Sequence, residues 1–380
     1  MAIHWALVWI CAAATSISAV AAENPPPRNV DSGTRVVAYV QGGQIPAVIH
    51  PQKLTHINFS FARIDAGRAV LDQPRVADDL AKLRALKQRN PKLKVMVSVG
   101  GWLAEGFSDA ALTDSSRHAF AHSAVTLLRE YSLDGIDLDW EYPGQGVAGI
   151  KYRDADKQNF TLLLKALREE LDEQSNARSR TAGPQHYALT IAAADREYFD
   201  HVEMSRLHVY LDWINVMAYD FFNSLTPTTG HQAGLYRAEF AAATDRNGDA
   251  AVKQYLAAGV PPEKIVLGVP FYGRGFAGVT PRNNGVNQPY ERYEGDHSYA
   301  ELSEKLIGKQ GFVRYWDARA DAPYLWNSAS RTLISYDDPQ SIAIKACYVR
   351  EHHLGGMMFW DLGSDRNDEL LGVITRGCPR

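Results

Sequence analysis

Residues 134–141 have the sequence DGIDLDWE, in which acidic and apolar residues alternate. Successive side chains of a β-strand point to opposite faces, so the pattern predicts that Asp137, Asp139 and Glu141 share one face. The apolar residues between them would pack on helices from the other face. Glu141, last in the row, is expected at the carboxyl end of the strand. Asp134 is out of step with the row, which favours a structural role in the preceding turn.

Similar short runs recur along the whole chain and predict the fold class. Between them lies helical periodicity, most clearly over residues 78–87 and 157–171. Strands that alternate with helices predict an α/β protein with a (β/α)8 TIM barrel. A doubly wound open sheet is the alternative, but the first strand is not followed by a Gly-rich phosphate loop. The predicted strands cover residues 36–40, 56–62, 94–99, 135–140, 187–192, 213–219, 265–270 and 356–360.

The connection between the seventh and eighth predicted strands is too long for a simple crossover. It contains roughly 85 residues, whereas a helix with two loops needs far fewer. Its central part is polar and rich in Tyr and Trp, which predicts a small α+β insertion domain at residues 276–334. The barrel is then expected to consist of residues 35–275 and 335–376.

The N-terminus has the pattern of an export signal. Residues 6–22 are apolar and rich in small side chains, and Ala19-Val20-Ala21 matches the small-x-small pattern of a cleavage site. We expect a signal peptide at residues 1–22, a linker at 23–34, and a secreted protein, either extracellular or periplasmic. An uncleaved anchor is the alternative, although the apolar stretch is short for a membrane span.

Charge and cysteine content limit the partners and the redox state. A net charge of -4 and a pI of about 6.3 provide no basic field for nucleic acid or anionic lipid. We expect a monomer that binds neither nucleic acid nor, after signal cleavage, membrane. In an exported protein Cys347 and Cys378 either form a disulfide or remain as a buried thiol and a free one.

The acidic row predicts acid catalysis. Three neighbouring carboxylates cannot all ionise at neutral pH, so at least one keeps the proton that a general acid needs. The alternative is a metal site, but a straight strand spaces oxygen ligands along a line, and no His lies among them. We therefore predict no metal and no cofactor. Spacing alone does not identify the nucleophile, and two candidates stay open: Asp220, after the sixth predicted strand, and a group of the substrate itself.

The sequence resembles glycoside hydrolase family 18, the chitinases. Residues 134–141 match that family's DxxDxDxE signature completely. The resemblance extends to SVGGW at 98–102, MAYD at 217–220, GVPFYGR at 268–274 and GGMMFWD at 355–361. It implies a secreted chitinase that hydrolyses β-1,4-linked N-acetylglucosamine polymers or oligomers and keeps the β configuration. Residues 276–334 correspond to the insertion domain of one subgroup of the family.

The resemblance also implies a role for each site residue. Glu141 would protonate the glycosidic oxygen and later activate water, while Asp139 would move between Asp137 and Glu141 and hold the acetamido N–H. Tyr219 and Asp220 would position the acetamido group for attack, which makes the substrate its own nucleophile. The residues expected to bind or line the substrate site are Trp360, Trp102, Tyr39, Ser98, Phe61, Gly101, Tyr142, Met217, Tyr272 and Arg274.

Two other functions are compatible with the same motif. An endo-β-N-acetylglucosaminidase acting on N-glycans shares the mechanism but usually lacks the insertion. A chitin-binding lectin of the chitinase type usually lacks the Glu of the signature. The chain also lacks the Trp that some relatives place soon after the sixth strand, where Phe221 and Phe222 are candidate substitutes for stacking on the sugar.

Overall fold

Eight parallel strands form a closed barrel in the computed structural model, which describes residues 33–183 and 185–378. The barrel order is β1-β14-β8-β7-β6-β5-β4-β2, and β2 pairs with β1 to close it. All strands of the described residues are β1 (Arg35–Gln41), β2 (His56–Asp65), β3 (Arg68–Val70), β4 (Lys94–Gly100), β5 (Gly135–Asp139), β6 (Ala188–Ala193), β7 (Trp213–Val216), β8 (Ile265–Pro270), β9 (Tyr272–Ala277), β10 (Arg292–Ser298), β11 (Val313–Asp317), β12 (Ala322–Asn327), β13 (Thr332–Ser335) and β14 (Gly356–Trp360).

Helices occupy the connections between the barrel strands. The α-helices of the described residues are α1 (Val76–Ala85), α2 (Phe107–Ala110), α3 (Asp114–Glu130), α4 (Asp156–Ala182), α5 (Met204–Leu207), α6 (Gly248–Ala257), α7 (Tyr299–Glu301), α8 (Pro339–Glu351) and α9 (Glu369–Arg376). The predicted (β/α)8 barrel is confirmed, and the open sheet is excluded because β1 pairs with both β14 and β2. The predicted signal peptide and most of the predicted linker lie outside the described residues.

Strand β5 shows why the acidic alternation produces this fold. The indole of Trp140 stacks on Phe107 of α2 at 5.1 Å between ring centroids, and Phe160 of α4 meets it edge-on at 5.3 Å. The apolar face of the strand is thus packed under helices, and each fully buried aromatic ring contributes about 1.5–3 kcal/mol. The opposite face, with Asp137 and Asp139, points into the barrel.

Most predicted strand bounds agree with the structure to within one residue. The clearest error is the sixth predicted strand, 213–219, since β7 ends at Val216. The amide of Ala218 donates a hydrogen bond to the carbonyl of Val216, so the chain turns there instead of continuing the ladder. The second strand is longer than predicted, because β2 continues to Asp65 to pair with β3.

The long connection between β8 and β14 contains a second sheet. Five antiparallel strands follow the order β10-β9-β13-β12-β11 and run from Tyr272 to Ser335. The sheet therefore starts four residues before the predicted bound of 276, because β9 follows β8 after the single residue Phe271. The division into a barrel domain and an insertion domain at residues 276–334 stays a prediction.

A disulfide joins the end of the described chain to the barrel wall. Cys347 of α8 is bonded to Cys378, which follows α9. Of the two alternatives left open for these cysteines, the structure therefore has the paired one. Within residues 33–183 and 185–378, no helix combines the length and the apolar character required to span a bilayer.

Candidate active site

Asp137 lies inside the barrel, where four side chains donate hydrogen bonds to its carboxylate. The donors are Tyr39 at 2.7 Å, Ser98 at 2.7 Å, Thr190 at 2.5 Å and Asn215 at 3.2 Å. The strand register brings two of them close, since Asp137 is aligned with Ser98 on β4 and with Thr190 on β6. Burial raises the pKa of the Asp137 carboxyl, and the four donors act to lower it.

Asp139 and Glu141 continue the row towards the mouth of the barrel. Asp139 is buried, and its Oδ1 atom has no hydrogen-bond partner among the described residues. Its burial, followed by the charges of Glu141 and Asp137, holds the pKa of Asp139 well above the ordinary value. Burial raises the pKa of Glu141 to about 7; a hydrogen bond with Tyr142 opposes this shift and the charge of Asp220 adds to it. The row therefore retains a proton at neutral pH.

Asp220 is held by two side chains of β9. The Tyr272 hydroxyl donates to it at 2.7 Å, and Arg274 donates through Nε at 2.8 Å and Nη2 at 2.5 Å. Arg274 in turn contacts Tyr293 at 2.8 Å and Asp296 at 2.5 Å, both on β10. The carboxylate of Asp220 is thus fixed by the antiparallel sheet that follows β8.

Tyr219 has a buried hydroxyl beside the acidic row. Burial, then the charges of Asp139 and Asp220, hold the pKa of Tyr219 well above its usual range, so the hydroxyl keeps its proton for donation. Its partner in the structure is the sulfur of Met358, at 3.9 Å, which is a weak acceptor. A Cβ on Gly268 would lie 3.0 Å from the Tyr219 ring, so the glycine leaves room for the ring.

Aromatic rings form one wall of the site. The indole of Trp360, at the end of β14, stacks on Phe61 at 5.5 Å and lies 5.8 Å from Tyr39 between centroids. A Cβ on Gly101 would lie 2.6 Å from the Phe61 ring, and φ at this glycine is +93°. Any other residue at position 101 would therefore displace Phe61 and strain the backbone.

Trp102 is the most exposed of the aromatic residues predicted to bind the substrate. It is 50% exposed and meets Tyr142, the residue after Glu141, edge-on at 6.5 Å. Met217 is buried next to the turn that follows β7. Among the predicted site residues, Tyr39 and Ser98 thus contact Asp137, and Tyr272 and Arg274 contact Asp220.

Two residues of the site were missed by the sequence analysis. Thr190 and Asn215 both donate to Asp137, yet neither belongs to the segments that carry the resemblance. The sequence did carry a signal for both residues. Each is the one polar residue in an otherwise apolar strand, Thr190 in ALTIAA and Asn215 in WINV. A polar side chain that faces the barrel interior is expected to have a buried partner.

The suggestion that Phe221 and Phe222 offer rings for stacking is wrong. Phe221 is 4% exposed and lies under the guanidinium of Arg246 at 4.8 Å. Phe222 is 7% exposed and packs on the backbone at Gly230. In an irregular loop, the sequence does not indicate whether two consecutive apolar side chains are buried or exposed. In this loop both are buried.

The site can hold and transfer a proton. Among the side chains that the structure describes, no three His, Cys, Asp or Glu residues are grouped as ligands of a metal ion. The chemical elements are a partly buried carboxyl group poised near neutral pH, a second buried carboxyl behind it, and a protonated phenol beside both. Such a set suits general acid–base catalysis.

Comparison with known proteins agrees with this geometry. Residues 35–365 match the family described as glycosyl hydrolases family 18. The chain is 41% identical to chitinase A1 of Niallia circulans over 336 residues, which cover 83% of this chain and 47% of that protein. It is 33% identical to chitinase B of Serratia marcescens over 412 residues, which cover 91% of this chain and 80% of that protein. It thus spans about half the length of the Niallia relative.

A solved structure agrees with the fold over nearly the whole chain. The family 18 N-acetylglucosaminidase from Paenibacillus barengoltzii superposes with a TM-score of 0.85 and 42% sequence identity, covering 91% of this chain and 100% of that chain. The family match over residues 35–365 and the shared fold agree, and the chain belongs to glycosyl hydrolases family 18.

Proposed function

We propose that the protein is a chitinase that hydrolyses β-1,4-linked N-acetylglucosamine polymers and oligomers, with Glu141 as general acid and base. The observation that carries the proposal is the row of three carboxyl groups on and after β5. Burial and neighbouring charge raise the pKa of Glu141 to about 7, so it holds a proton near neutral pH. General acids work best when their pKa lies near the working pH.

In the first step Glu141 donates its proton to the glycosidic oxygen as the bond to the anomeric carbon breaks. The carbonyl oxygen of the substrate's 2-acetamido group attacks that carbon from the opposite face and forms an oxazolinium ion. Glu141, now a carboxylate, takes a proton from water as the water attacks the anomeric carbon and reopens the ring. Two inversions at one carbon leave the product with the β configuration. This substrate-assisted route replaces the second carboxylate of the usual retaining scheme.

Asp139 is proposed to stabilise the oxazolinium ion through the acetamido N–H. Its Oδ1 atom is buried without a hydrogen-bond partner among the described residues, so it can accept a donor from the substrate. When Asp139 turns towards Glu141, the four donors around Asp137 can support that carboxyl group as an anion. The hydrogen bond to this buried acceptor becomes charge-assisted only as charge develops on the substrate. It therefore stabilises the transition state more than the ground state.

Tyr219 and Asp220 are proposed to hold the acetamido group in position for attack. The Tyr219 hydroxyl has only a weak sulfur acceptor in the structure, so a carbonyl oxygen would be the better partner. Asp220 is anchored by Tyr272 and Arg274, which limits its freedom to rotate. We infer that these two β9 residues act first on Asp220, in addition to the predicted contacts with sugar hydroxyls.

The aromatic residues are proposed to bind the sugar rings. Trp360, backed by Phe61, would lie under the sugar at the cleavage site, and the half-exposed Trp102 would stack on the sugar beyond the cleaved bond. Pyranose rings present C–H groups on their faces, which pack on aromatic rings while the hydroxyl groups at the edge remain solvated.

Relatives named as chitinases support chitin or chitooligosaccharides as the substrate class. A second candidate is release of single N-acetylglucosamine units, which the similarity to a family 18 N-acetylglucosaminidase favours. The two candidates share the mechanism and differ in the product.

We further propose export through the N-terminal segment and an insertion domain at residues 276–334.

The test of the proposal compares two hexamers, one fully N-acetylated and one fully de-N-acetylated, with products separated by chromatography. We expect cleavage of the acetylated hexamer alone, because only it carries the acetamido nucleophile. A thiazoline analogue of the oxazolinium ion should inhibit. Dimers as the main product would favour the chitinase, and monomers the N-acetylglucosaminidase. Efficient cleavage of the de-N-acetylated hexamer would refute substrate assistance.

A further inference from the structure

Asp220 has a backbone conformation that residues other than glycine seldom adopt. Its φ is +57°, in the left-handed region, and its neighbours Tyr219 and Phe221 are both buried. Such a conformation persists only where the surrounding structure enforces it, and residues of this kind concentrate at functional sites. Tyr272 and Arg274 hold the carboxylate of Asp220. The backbone is held by other contacts, which involve the residues that follow Asp220.

Three contacts hold the chain at and just after Asp220. The side-chain amide of Asn223 donates to the carbonyl of Asp220 at 3.1 Å, and the backbone amide of Phe221 donates to the carbonyl of Gln232 at 3.0 Å. The third contact comes from Arg246, whose guanidinium carbon lies 4.8 Å from the centre of the Phe221 ring. A cation over a ring face is attracted to the π electrons, and the planar guanidinium can stack on the ring. Of the three contacts, this one acts on a side chain, and that side chain is 4% exposed.

Arg246 is itself held by a buried carboxylate from a different loop. Its Nε atom donates to Asp195 at 2.8 Å, and its Nη2 atom contacts the same carboxylate oxygen. The Asp195 side chain is 3% exposed and lies two residues after the end of β6 at Ala193. Arg246 directly precedes Asn247, which caps α6 by accepting from the amide of Ala250 at 2.9 Å. The guanidinium is therefore fixed both through the loop after β6 and through the start of α6.

The buried partner keeps Arg246 in place near the acidic row. An unpaired charge inside a protein is costly, so the Asp195 carboxylate retains a cation beside it. Burial and then the charge of Glu141 raise the pKa of Tyr142, whereas the charge of Arg246 opposes that shift. The guanidinium therefore lies within electrostatic range of the residue that follows Glu141.

We propose that Arg246 is a positioning residue for Asp220 and acts through Phe221. The ion pair with Asp195 holds the guanidinium over the Phe221 ring, and the ring in turn fixes the left-handed turn at the preceding residue. Asp220 is thereby presented to the acetamido group of the substrate without a backbone rearrangement on binding. A group that is already in place when the substrate binds lowers the cost of reaching the transition state.

This inference rests on the proposed function, and a double-mutant cycle tests it separately. Arg246→Gln and Asp220→Asn are made singly and together. For each protein we would measure the Kd of the thiazoline analogue by calorimetry and kcat on the acetylated hexamer. The analogue contains the ring that Asp220 is proposed to hold, and its binding can be measured even where turnover is slow. A residue that acts through the Asp220 carboxylate has nothing to position in the Asp220→Asn protein, whereas a merely structural residue costs the same in both backgrounds.

Arg314→Gln is the matched control, because Arg314 has the same two kinds of contact. Its Nε atom donates to the buried carboxylate of Asp338 at 2.7 Å, and its guanidinium carbon lies 5.4 Å from the centre of the Trp316 ring. These contacts join β11 to the start of α8. The control should therefore lower stability while it changes Kd and kcat by less than about twofold in either background.

Arg246→Lys is the second variant, because Arg246→Gln leaves the buried Asp195 carboxylate without its cation. Lysine keeps the charge beside Asp195 but presents no planar group to the Phe221 ring. This variant decides the question if Arg246→Gln shows no cooperative unfolding in urea. We expect it to weaken binding of the analogue and to lower kcat by about threefold, with the same dependence on Asp220.

We expect Arg246→Gln to weaken binding of the analogue and to lower kcat by about fivefold, equivalent to about 1 kcal/mol. In the Asp220→Asn background the same substitution should change both quantities by less than about twofold. Equal losses in the two backgrounds, or no loss in the first, would overturn the inference while the proposed function stands. If the wild-type protein neither cleaves the hexamer nor binds the analogue, the proposed function fails, and the inference falls with it.

Discussion

At the scale of single residues, burial determines what the acidic row can do. Asp137 and Asp139 lie on one face of β5 and Glu141 follows the strand, yet the environments of the three residues differ. Asp137 has four hydrogen-bond donors, Asp139 has an unpartnered Oδ1 among the described residues, and Glu141 is influenced by the charge of Asp220. Groups with different environments titrate at different pH values, which divides the roles of acid and supporting anion between them.

The first prediction concerns the pH at which Glu141 loses its proton. The pKa of Glu141 is raised to about 7, first by burial and further by the Asp220 carboxylate, so wild-type kcat/KM should fall as the pH rises through about 7. Asp220→Asn removes that charge, which lowers the pKa of Glu141 and moves the alkaline limb to lower pH, whatever the loss in kcat. The measurement is kcat/KM against pH with an uncharged oligomer.

Asp296→Asn is the matched control for this experiment. Asp296 also binds Arg274, but its charge is not among the causes of the Glu141 shift. The control should therefore leave the alkaline limb in place. A limb in Asp220→Asn that stays at the wild-type pH, or moves to higher pH, would contradict the electrostatic account of the row.

At the scale of elements, the ends of the barrel strands build the site. Strand β4 ends at Gly100, which has φ of +118° and lies directly against the backbone of Asp139. A Cβ there would overlap the Asp139 carbonyl oxygen and approach Phe107 at 2.8 Å. The glycine therefore lets β4 and β5 approach closely where the acidic row reaches the mouth of the barrel.

We predict that Gly100→Ala destabilises the protein by about 2–4 kcal/mol and abolishes most activity, because β5 must shift to relieve the overlap. Gly67→Ala is the control, since φ there is +74° but nothing lies within 4 Å of the added Cβ. That variant should lose only about 1 kcal/mol, from backbone strain alone. Urea unfolding and kcat would be measured for both variants. Equal losses of stability in the two would show that backbone strain, rather than the close approach of β4 to β5, determines the cost of Ala at position 100.

Elements were predicted more reliably than the residues that complete the site. All eight barrel strands follow from short runs of β-branched and aromatic residues, and the excess length after β8 pointed to the inserted sheet. The contacts of Thr190 and Asn215 with Asp137 depend on strand register and barrel closure, which local sequence does not determine. The buried positions of Phe221 and Phe222 depend on an irregular loop that no period describes.

At the scale of the whole molecule, the chain must close a barrel between strands far apart in sequence. β14 completes the barrel by pairing with β1 and β8, and α8 and α9 lie on either side of it in the chain. The disulfide between Cys347 and Cys378 therefore encloses the last barrel strand in a covalent loop. Such a loop reduces the entropy of the unfolded chain.

Cys347→Ser with Cys378→Ser is expected to lower the free energy of unfolding by about 3–4 kcal/mol, as estimated for a loop of about 30 residues. Each single substitution should cost nearly as much as the pair, because either one breaks the same bond. Activity at 25 °C should persist, since neither sulfur contacts the acidic row. Urea denaturation of the oxidised wild type and the three variants provides the measurement, and equal stability of all four would refute the prediction.

The central claim is that Glu141 supplies the proton for cleavage, and Glu141→Gln tests it most directly. The substitution keeps the size of the side chain and removes its acid, while Glu169→Gln on the exposed face of α4 serves as the control. Hydrolysis of chitotetraose and binding of the same oligomer would be measured side by side. We expect Glu141→Gln to bind the oligomer but to lose nearly all hydrolysis, at least about 100-fold, with the control equal to wild type. Residual activity within about tenfold of wild type would contradict the assignment, because loss of the general acid must cost more than that.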